Sequence, residues 1–537
     1  MTTFMSVDES AMPGFKTRWK GLIFIGVALL VISLDNTILN IAIPSLSRDL
    51  NANIGDLQWI IDAYTLVFAA LLMTMGSISD RFGRKRALQI GLVMFGIGSL
   101  GAALSTNTLM LIGSRAFLGI AGAFIMPSTL SLINVSFPQR ERATAIAIWS
   151  AIFGIGIAIG PVLGGFLLKL STWHILFLIN LPVIVIALIG GQRFLVESKD
   201  ESAPKLDIPG VIFSASGVFT LVYAIIEAGS KGWGSTEVVS LFIVAFLLLA
   251  IFAFVESRIA EPMMPLYLFK NLSFSGASIA LAMVMFSLAG SMFFVSQYMQ
   301  TILGYDTLTA GLGTLPVAAG LIAVAPLSAP ISKRIGIKYT VALGIGIAAV
   351  ALFFMGFTYK INTPYIIIAA GQLLLAAGMG LAMAPATNSI MSAIPANKSG
   401  VGSAMNDTTR ELGTALGVAV LGTFMNNIYI NGVKPLSVIL SSMPKAALDA
   451  ISSSIQGAHA VGSAPGIPPL IGTLIISTSN QAFVDGMTHA MLIGGVIMTC
   501  SAIFVLLTLP SWIKSPVEGE VETEVMPELT VAAAAGD

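Results

Sequence analysis

Six charged side chains fall well inside long apolar runs: Asp35, Asp62, Arg115, Asp407, Arg410 and Glu411. A charge at mid-bilayer costs roughly 2.5–3.5 kcal/mol even on the lenient insertion scale, so each demands a function or a partner. Asp407 and Glu411 stand i, i+4, one turn apart on one helix face, with Arg410 between them in sequence. Two neighbouring carboxylates in a low-dielectric cavity cannot both ionise cheaply, so one should hold a proton that an arriving cation displaces. The alternative is that Arg410 neutralises Glu411 as a buried structural pair. Asp35 is followed by Asn36, Thr37 and Asn40, a polar stripe in an otherwise apolar run. Asp62 has Trp59, Tyr64 and Phe68 nearby in sequence, and an acid amid aromatic rings suits a lipophilic cation; Trp149 is a further aromatic candidate. Asp62 also lies near a helix end, where water alone would explain it. Arg115 is alone in its run and needs a partner, for which Asp35 is one candidate; it either fixes a carboxylate's protonation or glues helices together.

The elements that must hold these residues are apolar helices. The chain of 537 residues is 56% hydrophobic and only 10% charged, with Lys+Arg 27 against Asp+Glu 27. A balanced charge excludes a nucleic-acid binder, and the long apolar runs exclude a disordered acidic protein and indicate a polytopic membrane protein. Hydropathy places about fourteen spans, near 21–43, 57–78, 87–105, 109–131, 144–168, 174–195, 208–228, 238–256, 273–295, 309–331, 339–357, 364–386, 403–425 and 487–510. No small-residue cleavage site follows the first, which reads as a retained helix. Most Lys and Arg outside the spans fall on one side, richest at Ser79–Arg86, so both termini are expected in the cytoplasm. Cys500 is the single cysteine, and His174, His459 and His489 are scattered without metal spacing, so no metal and no cofactor is expected. Nor is there a nucleophile motif or a soluble domain to suggest an enzyme.

Two short patterns recur. Ile78-Ser79-Asp80-Arg81-Phe82-Gly83-Arg84-Lys85 returns as Ile331-Ser332-Lys333-Arg334-Ile335-Gly336-Ile337-Lys338, and Pro127–Leu132 is echoed by Pro385–Ile390. The first six and last six spans therefore look like two copies of one unit, an arrangement suited to alternating access. The expected order is a tail over 1–20, a six-helix half over 21–195, two inserted helices over 208–256, a second half over 273–510 and a tail over 511–537. Residues 426–486 are expected as a long external loop, either an amphipathic hairpin on the outer face or a mobile segment. In the fifth span, Gly156, Gly160, Pro161, Gly164 and Gly165 combine small residues at one-turn spacing with a helix bend. A phosphate-binding loop would need Gly-Lys-Ser/Thr after a strand, which is absent here.

With these motifs assembled, the sequence resembles the major facilitator superfamily, in particular its fourteen-helix drug:proton antiporters of the quaternary-ammonium efflux type. Gly76, Asp80, Arg81, Gly83, Arg84 and Lys85 are similar to the family's cytoplasmic loop motif, and Leu34–Pro44 to its first-helix signature. Arg115, Gly119 and Gly122 fit its fourth-helix motif, and the Gly156–Gly165 set fits the antiporter motif associated with exporters. Trp173–Pro182 is familiar from the same branch. The resemblance implies that Asp35, Asp62, Asp407 and Glu411 sit where quaternary-ammonium pumps carry acids. Three positions depart from the pattern: Asn406 replaces a further carboxylate, Arg410 adds a positive charge, and Leu321 stands where members handling divalent cations are acidic. Monovalent lipophilic cations, or zwitterions such as quinolones, are thus the expected cargo of a monomeric proton-driven exporter in a bacterial-type cell membrane. The other expectation in the same fold is an exporter of one metabolite, siderophore, amino acid or tetracycline-type compound.

Overall fold

A bilayer offers the backbone no hydrogen bonds, so a chain this apolar has to satisfy its peptide groups within helices. The computed structural model describes residues 14–50, 54–200, 207–259, 262, 264, 266–395, 398–440 and 443–511; the tails proposed over 1–20 and 511–537 lie mostly outside that set. Among the described residues fourteen helices are long and apolar enough to cross a membrane.

The first six spans are α1 (Arg18–Asp49), α2 (Ile54–Phe82), α3 (Arg84–Ala103), α4 (Thr108–Ser136), α5 (Gln139–Leu170) and a sixth made of α6 (Ile175–Leu178) running into α7 (Asn180–Phe194). Two inserted helices follow, α8 (Ile208–Lys231) and α9 (Thr236–Glu256). The last six spans are α10 (Leu272–Gln297), α11 (Thr307–Leu312) joined to α12 (Leu315–Ile335), α13 (Ile337–Thr358), α14 (Tyr365–Ser392), α15 (Ser399–Ile439) and, after two short helices α16 (Lys445–Ser453) and α17 (Ile455–Gly462), α18 (Pro469–Thr508).

The packing repeats as the sequence does. In the first half α1 lies against α5 and α7, α2 against α4, and α3 against α4 and α7; in the second α10 lies against α15 and α18, α12 against α14, and α13 against α14 and α18. The seam between halves obeys the same exchange, with α2 on α15 matched by α5 on α12, and α4 on α15 matched by α5 on α14. The repeated loop keeps its backbone as well: Gly83 and Gly336 both take positive φ, +116° and +91°, where a side chain would be strained. The inserted pair packs on itself and, through α8, on α2 and α15, along one side of the seam. α9 has the highest mean hydropathy of the spans, 3.2, and exposes Ile243, Phe246 and Leu247, the surface of a helix that faces lipid.

The segment expected as a loop over 426–486 is largely helical. α15 continues to Ile439 and α18 begins at Pro469, each well beyond the apolar stretch that hydropathy detects. A helix that has left the lipid no longer needs apolar residues on every face, so Asn426, Asn427, Ser477 and Asn480 hide it from a hydropathy window. Between them α16 and α17 form a packed hairpin: Ile451, Ile455 and Ala458 are buried, and the Tyr429 hydroxyl donates to the Ile451 carbonyl at 2.9 Å.

Candidate functional site

Small residues set the spacing at the centre of the first half. A Cβ at Gly119 would collide with the α2 backbone at Tyr64, and one at Gly122 would lie 3.0 Å from the Tyr64 hydroxyl and 3.1 Å from the Phe68 ring. α4 therefore sits close on α2 and brings Arg115 under Tyr64, whose ring centroid is 4.5 Å from the guanidinium carbon. Gly156 and Gly160 meet Ser33 and Thr37 of α1 in the same way, and Gly164 meets Ile38, while Gly165 is buried in the same turn. Pro161 faces α11, where a Cβ on Gly311 would lie 3.1 Å from its carbonyl. These contacts press α5 onto the helix that carries Asp35.

Arg115 has its partner. Its Nη1 lies 2.5 Å from Asp35 Oδ2, and its Nε donates to the Ile60 carbonyl at 3.0 Å. Asn180 Nδ2 reaches the other Asp35 oxygen at 3.5 Å and Ser99 Oγ at 3.2 Å. Both charged groups are buried. The pair joins α1, α2, α3, α4 and α7. The polar stripe after Asp35 turns inward on its own helix: Thr37 Oγ1 donates to the Ser33 carbonyl at 3.1 Å. The Asn40 side chain lies outside the described residues.

The set on α15 is built differently. Asn406 Nδ2 donates to Asp407 Oδ1 at 3.1 Å, while Asp407 Oδ2 is buried without a hydrogen-bond partner among the described residues. Arg410 comes nearest to a carboxylate at Asp407, with Nη1 3.9 Å from Oδ1, which is beyond hydrogen-bond range. The alternative Arg410–Glu411 pair is not seen: Glu411 has no ion pair within 4.0 Å among the described residues, and Arg410 lies instead on rings of α5. Its guanidinium carbon lies 3.7 Å from the Phe153 ring centroid and 5.1 Å from that of Trp149. Trp149 is held in turn by Nε1 donating to Thr129 Oγ1 at 3.1 Å. Phe153 was not among the sequence candidates, although it stands one helical turn from Trp149 and that spacing could have identified it.

Two candidates lie elsewhere. Trp59 is exposed and stacks on Tyr223 of α8, with ring centroids 6.1 Å apart, so it does not join the central aromatic residues. Helix geometry gives the reason: Trp59 shares a face with Leu66 and Ala69, which pack on Val218 and Val222 of α8, whereas Tyr64 and Phe68 point the other way, toward α4. Asp62, half-buried, is on the Trp59 side.

The loop motif is a latch between halves. Asp80 accepts hydrogen bonds from the backbone N–H of Gly400, at 2.8 Å to each oxygen, and of Val401 at 3.2 Å, so it caps the positive end of α15. Arg84 grips the same carboxylate, with Nη2 at 2.7 Å. Gly76 belongs to the same contact, since a Cβ there would lie 2.5 Å from the Gly400 carbonyl. Ser131 and Ser399 hydroxyls meet at 2.7 Å beside it. Glu197, which no sequence signal marked, braces the loop by accepting from Lys85 N and Arg86 N at 3.0 Å each, and Lys85 Nζ donates to the Gln192 carbonyl at 3.0 Å. Arg81 lies over Phe82, 5.4 Å from its ring centroid. A weaker contact joins the C-terminal end of α5 to the start of α11, Lys169 to Asp306 at 3.3 Å, with both side chains more than half exposed. Hydrogen bonds from Thr309 and Lys169 hold the Asp306 carboxyl below its usual range.

This arrangement can be set beside known proteins. Residues 25–418 match the family described as Major Facilitator Superfamily. The chain is 31% identical over 507 residues to the tetracenomycin C resistance and export protein of Streptomyces glaucescens, covering 94% of each. It is 34% identical over 485 residues to the multidrug efflux pump LfrA of Mycolicibacterium smegmatis, covering 90% of this chain and 95% of that one. Among solved structures, the proton:xylose symporter XylE shares the fold at a TM-score of 0.59 and 12% identity, over 92% of this chain and 96% of that one. The chain belongs to the Major Facilitator Superfamily: it is an all-α membrane transporter of two six-helix halves with two inserted helices, and its relatives are drug and antibiotic efflux proteins.

Proposed function

We propose that this member of the Major Facilitator Superfamily is a proton-coupled antiporter that exports lipophilic cationic drugs: quaternary ammonium compounds, dyes and quinolone-type zwitterions. The observation that carries the reading is Asp407. It is a buried carboxylate with one oxygen unpartnered, one turn from a second carboxylate, on the α15 helix that lies against α2 and α4 of the other half. Such a group can hold either a proton or a cation, and the cost of burying two negative charges keeps it from holding neither. The rings of Trp149 and Phe153, from the opposite half, lie against Arg410 one turn along α15 from Asp407 and give this region an aromatic wall.

In this reading the cycle rocks α1–α7 against α10–α18. The Asp80 latch has to open for the cytoplasmic side to admit drug, and the Lys169–Asp306 side opens for release. Both termini are on the latched, cytoplasmic side of a cell membrane, and one chain is the working unit. One proton exchanged for one monovalent cation moves no net charge; a second proton would add about 2.3 kcal/mol per hundred millivolts. In everted vesicles, ethidium should collapse a pre-formed pH gradient, and an Asp407→Asn variant should not. Normal ethidium-driven proton flux in that variant would sink the assignment of coupling to Asp407.

The second reading is export of a single compound, favoured by relatives named for one antibiotic, tetracenomycin C or puromycin. Growth protection confined to one antibiotic, with no dye efflux, would establish it in place of the first.

A further inference from the structure

Two arginines are buried in the membrane, and their surroundings are opposite. Arg115 spends its guanidinium on Asp35 and the Ile60 carbonyl. Arg410 is 2% exposed, yet among the described residues its Nη1 and Nη2 donate to no group. A buried cation with idle donors is costly, and Arg115 demonstrates that this fold can satisfy one. Helix contacts alone therefore do not account for Arg410.

Its geometry is that of a prepared receptor. The guanidinium carbon lies 3.7 Å from the Phe153 ring centroid and 5.1 Å from that of Trp149, and Trp149 is itself fixed by Thr129. Packing against two rings holds the guanidinium in place without using a hydrogen bond. Beside it stands the acceptor Asp407 Oδ2, also without a partner. Idle donors on Arg410 and an idle acceptor on Asp407, whose other oxygen lies 3.9 Å from Arg410 Nη1, match a molecule bearing both an acidic oxygen and a protonated amine.

We propose that Arg410 is the anchor for an acidic oxygen of the transported molecule, so that the site prefers amphoteric aromatic compounds over permanently cationic ones. The acidic group, a carboxylate or an ionised enol, takes two parallel N–H donors from the guanidinium edge, which a lysine could not reproduce. The amine faces Asp407 Oδ2, and the aromatic body shares the ring-lined wall. This assignment rests on the exporter reading and narrows its substrate class. It also alters the energetics, because an overall neutral zwitterion exchanged for one proton moves one charge and draws on the membrane potential.

The test uses one scaffold in two forms, a zwitterionic quinolone and its methyl ester, with ethidium as the permanent cation, in everted vesicles carrying the full-length protein. The wild type should show a KM for the acid about tenfold below that for the ester, since the ester loses the paired hydrogen bonds. Arg410→Gln should bring the acid-to-ester ratio to about one, and Arg410→Lys should restore only part of it. The ratio is read within each variant, so a general loss of expression or rate does not mimic the result. A wild-type ratio near one overturns the proposal, as does a ratio that survives Arg410→Gln. If the wild type moves none of the three compounds, the drug-exporter reading falls as well; if ethidium moves and the acid is not preferred, the Arg410 assignment alone falls.

Discussion

The two halves hold their buried charges in contrasting ways. In the first half Asp35 and Arg115 close on one another at 2.5 Å, with Asn180, Ser99 and the Ile60 carbonyl taking up further valences. In the second half Asp407, Arg410 and Glu411 lie within one turn of α15, yet the nearest opposite charges are 3.9 Å apart and several polar atoms are idle. A saturated pair resists change, because parting it strands two charges in low dielectric; an unsaturated set can trade one partner for another at little cost. The first half is thus suited to bear load, and in the proposed mechanism the second exchanges protons and cargo.

Breaking the saturated pair should have the largest effect. Arg115→Ala leaves Asp35 buried without its cation and should cost about 3–5 kcal/mol, read as a fall in thermal stability of the purified protein together with loss of transport. Changing the unsaturated set should do the reverse. Asp407→Asn should abolish drug-driven proton flux while shifting thermal stability by about 1 kcal/mol or less, since Asp407 has only one hydrogen bond to lose. Equal destabilisation by the two substitutions would erase the contrast.

The latch and its opposite number extend the comparison. Asp80→Asn weakens charge-assisted bonds to the α15 N-terminus, each worth roughly 1.5–3 kcal/mol, so the latched side, cytoplasmic in the proposed orientation, should open more often. A faster reaction of a cysteine placed at Ser399 with a membrane-impermeant thiol reagent, applied from the cytoplasmic face, would report it. The exposed Lys169–Asp306 contact should matter least: Lys169→Ala should leave thermal stability unchanged, as is usual for solvated ion pairs. Its pH dependence has a definite sign. A depressed carboxylate contributes above its unfolded-state pKa and loses that contribution as pH falls through the lower folded value, so the pair should survive acidification that protonates an ordinary Asp. Loss of the contact within the ordinary Asp range, followed by the carboxylate's NMR shift, would contradict this.

Much of this was legible without coordinates. Asp35, Arg115, Asp407, Arg410 and Glu411 announce themselves because charge is scarce in apolar helices, and the repeated Gly83 and Gly336 loops disclose the internal duplication. The glycines of α5 mark a close seam, since only small residues tolerate it. Trp59 misled because nearness in sequence is not nearness in space: within one helix it faces α8 while Tyr64 faces α4. The helical ends of α15 and α18 escaped detection because polarity outside the lipid does not forbid a helix.

The sequence by itself determined the class of molecule, the number of spans and the residues that pay a burial penalty, all of which follow from local composition and the fixed thickness of a bilayer. Tertiary structure alone decided the pairing: that Arg115 takes Asp35, that Asp80 reaches across to Gly400, and that Arg410 leans on Phe153 with its donors idle. Those outcomes depend on how closely helices distant in the chain approach one another, and short-range pattern carries no information about that distance.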